Sequence, residues 1–110
     1  MSADACVVYF GLRFEVTSGE VEALELGRDP RQVAARGAGL TTYWGNFGGP
    51  AEHYVLLVGT KIAILGPENE ASARHSADDL AAIIAVTTSH LREAGLEGEP
   101  CLHIGWQEDA

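Results

Sequence analysis

From Cys6 to Val16 the chain alternates at every second position. Cys6, Val8, Phe10, Leu12, Phe14 and Val16 share one parity, and Val7, Tyr9, Gly11, Arg13 and Glu15 share the other. Successive side chains of a strand point to opposite faces, so this spacing lays six apolar groups on one side of a sheet. Wound as a helix, the same six would scatter round the circumference and bury nothing together. Residues 6–16 are therefore expected to form a strand, and its apolar length argues for a place away from the sheet edge.

The following segments read by their caps and periods. Thr17 with Glu20 has capping-box spacing, Gly27 can end a short helix, and Asp29-Pro30 restarts one that closes at Gly37. A helix broken in two is expected there. Leu40–Phe47 is rich in aromatics and threonine and reads as a strand, followed by a turn at 48–52 and a strand over His53–Val58. Gly59-Thr60 has the form of a two-residue hairpin loop, with Lys61–Leu65 as the returning strand. Ser76 with Asp79 caps a second helical region whose Leu80, Ile83, Ile84, Thr87 and Leu91 keep helical spacing, closed by Gly95 and Leu96. Pro100–Trp106 reads as the last strand.

The expected order is β-α-β-β-β-α-β. This is an α+β fold in a single domain over 1–110, with about five mostly antiparallel strands and two helical regions packed on one face. A chain of 110 residues, 46% of them hydrophobic, has material for one core. If the helices cover one face, the other carries Val7, Tyr9, Val55, Leu57 and Ala63. An apolar face of that kind is usually covered, and a second copy of the chain needs only one self-complementary patch. A homodimer is expected, packed on that face or paired at a sheet edge.

Charge narrows the partners. Seven basic residues stand against sixteen acidic ones, a net charge of −9. Direct nucleic-acid binding needs clustered Lys and Arg, and Arg28, Arg31 and Arg36 are too few to supply it. A basic protein is the charged partner that such a surface can attract. No apolar run approaches the roughly 18 residues of a membrane span. Met1–Cys6 lacks the basic and apolar regions of a secretory leader, so the expected compartment is the cytoplasm, with Cys6 and Cys101 as buried free thiols. One Lys against six Arg, with abundant Ala and Gly, suits a GC-rich bacterium or its phage.

Chemical motifs are sparse. Gly37-Ala38-Gly39 lacks the third glycine of a dinucleotide fingerprint, and there is no phosphate-binding loop and no Cys-x-x-Cys. His53, His75, His90 and His103 have no metal-ligand spacing, so neither metal nor cofactor is expected. Cys101 and His103, two residues apart on a strand, are too far apart to form a thiolate–imidazole pair unaided. Glu22 and Glu25 lie on one side of the first helix, and Asp78 with Asp79 occupies the start of the second, where the positive helix end explains that pair.

The most distinctive stretch is Thr42–Pro50. Tyr43, Trp44, Asn46 and Phe47, with His53 nearby, combine apolar area, a directional amide and close backbone approach at glycine, the ingredients of a ligand or partner site. Two functions follow. The first is a non-enzymatic, protein-binding homodimer of the adaptor, immunity or inhibitor kind, with no catalytic residues. The alternative is a small-molecule binding protein or small enzyme whose pocket is built on Tyr43–Pro50, with Glu52, His53 or His103 beside it.

Overall fold

Four strands, all antiparallel, lie in the order β2-β3-β1-β4 in the computed structural model of the protein, which describes residues 4–108. They are β1 (Ala5–Glu15), β2 (Thr41–Asn46), β3 (Tyr54–Leu65) and β4 (Cys101–Gln107). Three helices, α1 (Val21–Glu25), α2 (Pro30–Gly37) and α3 (Ala77–Glu93), connect them, with short 3₁₀ turns at Ser18–Glu20 and Gly49–Ala51. Of the Met1–Cys6 segment read as lacking a leader, Met1–Ala3 lie outside the described residues.

The long alternating segment is the interior strand β1, which pairs with β3 on one side and β4 on the other. The expected hairpin at Gly59-Thr60 does not form, and the fifth strand is lost with it. β3 instead runs unbroken past both residues, because β1 pairs with it from Cys6 to Glu15 and a reversal at 59–60 would leave half of β1 without a partner on that side. Gly59 serves close approach rather than a turn. It faces Gly11 across the ladder; a Cβ on Gly11 would lie 2.0 Å from the Val58 carbonyl oxygen, and one on Gly59 2.1 Å from that of Phe10.

A bulge resets the phase of β3. Val8 faces Ala63 while Tyr9 faces Lys61, so Ile62 is an extra residue. Beyond it the parity inverts. Ala63, expected beside Val55 and Leu57, pairs with Val8 on the opposite side of the sheet, and Ile64 takes the position facing Val7.

The helix signals act as their chemistry requires. The Glu20 carboxylate accepts from the Thr17 N–H at 2.9 Å. Asp29 accepts from the Arg31 N–H at 2.9 Å, and Gln32 Oε1 accepts from the Asp29 N–H at 3.2 Å, so the start of α2 is capped in both directions. Ser76 Oγ accepts from the Asp79 N–H at 3.0 Å. At the end of α3 the Leu96 N–H returns to the Leu91 carbonyl at 3.1 Å with Gly95 left-handed at φ +71, a Schellman closure.

Apolar residues bury on both faces of the sheet. On one, Leu24, Ala35 and Leu91 of the three helices pack on Leu12, Leu56 and Val58. On the other, Val7, Tyr9, Val55 and Leu57 form a second cluster flanked by Tyr43, Phe47 and Ile64. These four residues, expected to face a second copy, are buried inside the chain itself, with exposures of 0 to 4%. No helix is needed to cover them: the sheet curls until side chains of its two edge strands meet, and Phe47 of the loop after β2 packs on the cluster. The Tyr43 hydroxyl donates to Gln107 Oε1 across the concave face. Glycines make room for the closure, since a Cβ on Gly45 would fall 2.3 Å from Gln107 Nε2 and one on Gly105 3.1 Å from the Phe47 ring. The facing pair Gly11 and Gly59, in the two middle strands, is where the backbone bends most cheaply.

Candidate functional site: a concave cleft and a bare edge

Where the curled face opens, β1, β3 and β4 and the loop after β2 border a cleft of about 430 Å³. Val55 and Leu57 of β3, Phe47, His103 of β4, Trp106 and Arg13 are among its lining residues. Register explains the grouping: Arg13 faces Leu57 and Glu15 faces Val55 across the β1–β3 ladder, on the side that also holds Tyr9, the partner of His103. Arg13 Nη1 donates to Glu15 Oε1 at 2.7 Å, and the other Glu15 oxygen meets His53 Nε2. The His53 contact first, and Arg13 second, hold the Glu15 carboxyl below its ordinary range. All three side chains are substantially exposed, so water screens the pairs and they contribute little to stability.

The residues singled out in the aromatic segment do not converge on one pocket. β2 is a strand, so Tyr43 and Trp44 point to opposite faces. Trp44 packs among the helix-side core, its ring 6.3 Å from that of Tyr54. Tyr43 lies inside the concave face, 6.4 Å from the Tyr9 ring and 6.3 Å from Phe47, and its burial pushes the phenol pKa up. Asn46 is architectural: its amide donates to the Gly49 carbonyl at 2.8 Å, and its oxygen accepts from the N–H of Gly48 at 2.9 Å and of His53 at 2.8 Å. Phe47 lines the cleft, and His53 stands beside it, tied to Arg13 only through Glu15.

Sequence reasoning passed over Arg13 and the outer side of β4. Arg13 was visible as the one cation in a parity otherwise apolar, glycine or acidic. The β4 signal was compositional: Cys-Leu-His-Ile-Gly-Trp-Gln holds no Asp, Glu, Lys or Arg in a chain that is 21% charged. Leu102, Ile104 and Trp106 remain 55, 68 and 59% exposed. They share a face with Phe10, Val8 and Cys6, their partners on β1. α3 leaves them uncovered because it packs on β1 and β3, where the hydroxyls of Thr87 and Thr60 share a hydrogen bond of 2.6 Å. Among the described strands β4 pairs with β1 alone, so its outer backbone edge has no ladder partner.

The thiols are free. Cys6 is half-buried and Cys101 exposed, against the expectation that both are buried. Cys6 faces Trp106 while Cys101 faces Gly11, five positions along β1, a separation of roughly 16 Å that no disulfide spans. Among the described residues no group of three His, Cys, Asp or Glu side chains could hold a metal ion. No helix among them is long and apolar enough to cross a membrane. Compared with protein-family models, with curated proteins and with solved structures, the chain finds no match.

Proposed function

We propose that this is a non-enzymatic, protein-binding module of the adaptor, immunity or inhibitor kind that works as a homodimer, joined through the outer edge of β4. The observation that carries this reading is the coincidence, on one strand, of an unpaired backbone edge and three exposed apolar side chains with no charge among them. Sheet proteins usually protect such an edge with Lys, Pro or a covering loop, and β4 has no Lys and no Pro. A second copy is the matching occupant. Antiparallel self-pairing about a two-fold axis at Ile104 sets Ile104 against itself and Leu102 against Trp106 of the other copy, apolar on apolar throughout.

Each of these side chains is about half exposed, so covering it contributes on the order of 1 kcal/mol. Six of them across the axis, with a shared ladder, give a weak, concentration-dependent dimer rather than a permanent one. The acidic remainder of the surface opposes further stacking and leaves a basic protein as the partner class the assembly attracts. The cytoplasm of a GC-rich bacterium, or of its phage-infected cell, is the setting this composition suits.

Sedimentation equilibrium over a range of concentrations tests the reading. The natural chain is expected to approach dimer mass, and Ile104→Lys, which sets two ammonium groups face to face on the axis, to stay monomeric with an unchanged circular-dichroism spectrum. A natural chain that stays monomeric at every concentration, or an Ile104→Lys variant that dimerises equally well, overturns it.

A further inference from the structure

We infer that the concave cleft binds a small monocarboxylate with an apolar body, its carboxylate held by Arg13 and its body laid against Phe47 and Trp106. Three observations carry this, at a cleft that shares Leu102, Ile104 and Trp106 with the bare β4 edge. The first is the cleft itself: about 430 Å³ is within the range of small-molecule sites. Val55 and Leu57, 2 and 4% exposed and fixed in the ladder with β1, back the cleft rigidly, while Phe47 and Trp106 supply apolar surface at its border.

The second is the state of Arg13. A guanidinium carries five N–H donors in a planar fork, and only one of them is used, by Glu15. Both Glu15 oxygens are occupied, one by Arg13 and the other by His53, so the carboxylate is satisfied while the guanidinium is not. Its remaining donors suit a two-point grip on a second carboxylate at the border of an apolar surface. Because Glu15 already balances one charge, and the chain carries a net −9, a single negative charge fits where a phosphate dianion would be repelled.

The third is His103. Its Nε2 lies 3.1 Å from the Gly11 carbonyl oxygen, which can only accept, so Nε2 carries the hydrogen. In the neutral ring Nδ1 is then left as an acceptor for a hydroxyl on the ligand. The ligand class is therefore an apolar acid of modest size, with a hydroxyl at its far end.

The probe is 4-hydroxyphenylacetate, titrated into the full chain and followed by backbone and Trp106 indole NMR shifts. Saturable shifts at Arg13, Leu57 and His103 are expected. The neutral probe 4-hydroxyphenylacetamide, and the acid against Arg13→Gln, should each bind about tenfold more weakly or worse, since each removes the charged half of one grip. Arg13 is 39% exposed and pairs only with exposed Glu15, so the substitution spares the core. The acid–amide comparison on the natural chain decides the matter even without that variant. No saturable shift up to about 10 mM acid, equal affinity for acid and amide, or unchanged affinity in Arg13→Gln overturns the inference. Sedimentation of the same samples, with and without the acid, separates failure of the cleft from failure of the dimer.

Discussion

Replacing Gly11 by alanine tests whether the close passage of β1 and β3 holds this fold in shape. The new methyl carbon would lie 2.0 Å from the Val58 carbonyl oxygen and 2.8 Å from the Gly59 Cα, both backbone atoms of the partner strand. That is about 1 Å inside the 3.0 Å limit that real contacts respect. No rotamer can relieve it, because the clash involves Cβ itself, so the strands must part at their centre. Strain of this kind costs about 1–3 kcal/mol, and weakening two ladder hydrogen bonds adds about 1 kcal/mol each. The sum is about 3–5 kcal/mol, or a fall in Tm of about 12–20 °C for a chain of this length. Gly37→Ala is the matched control. Gly37 is the last residue of α2, and a Cβ there would have nothing within 4 Å. Alanine should stabilise that position by about 0.5–1 kcal/mol, raising Tm by about 2–4 °C. Thermal melts followed by circular dichroism read both. A Gly11→Ala protein melting within about 2 °C of the natural chain, well inside the shift expected of even 1 kcal/mol, would refute the argument.

Asp29, buried at the cap of α2, is paired with Arg31, whose Nη2 lies 2.9 Å from its carboxylate. Arg31 holds the Asp29 carboxyl below its ordinary range, so this pair's stabilisation is present above the unfolded value, near pH 4, and is lost as pH falls through the folded one. Arg31→Met should therefore cost about 2 kcal/mol near neutrality and progressively less in acid; urea melts showing a constant difference from pH 7 to below 3 would count against the assignment. Asp29→Ala removes cap and pair together and should cost at least the 0.5–2 kcal/mol of a lost N-cap, read by the same melts. Tyr43→Phe leaves the Gln107 side chain, 7% exposed, without its phenol partner and should cost about 1–2 kcal/mol. Unchanged stability there would mean the two edge strands do not hold each other.

How much was legible in the residues depended on the range of the interaction that decides each feature. Strand β1, the three caps and the Schellman closure are set by neighbours a few positions apart, and period two or a Thr-x-x-Glu spacing reports them directly. Gly59 shows where that stops. Gly-Thr within an apolar run is a legitimate hairpin signal, and nothing local reveals that a second glycine, Gly11, must pass against it. The partner lies 48 positions away, and only the register of β1 on β3 brings them together. The bulge at Ile62 works the same way, moving Ala63 to the other face by an offset that parity alone cannot show.

The candidate site was divided along the same line. Alternation could say that Val7, Tyr9, Val55 and Leu57 share a face, and they do. It could not say what covers that face, because the cover is the sheet's own curvature, closed by Tyr43 on Gln107 and by Phe47 over Gly105. Curling brings Arg13, Phe47 and His103 round one cleft, while α3, seated on β1 and β3, leaves Leu102, Ile104 and Trp106 bare. Which side chains are apolar, and on which parity, is written residue by residue. Which of them meet water is set by how far a sheet bends and where a helix comes to rest, and those are sums over the whole packed chain.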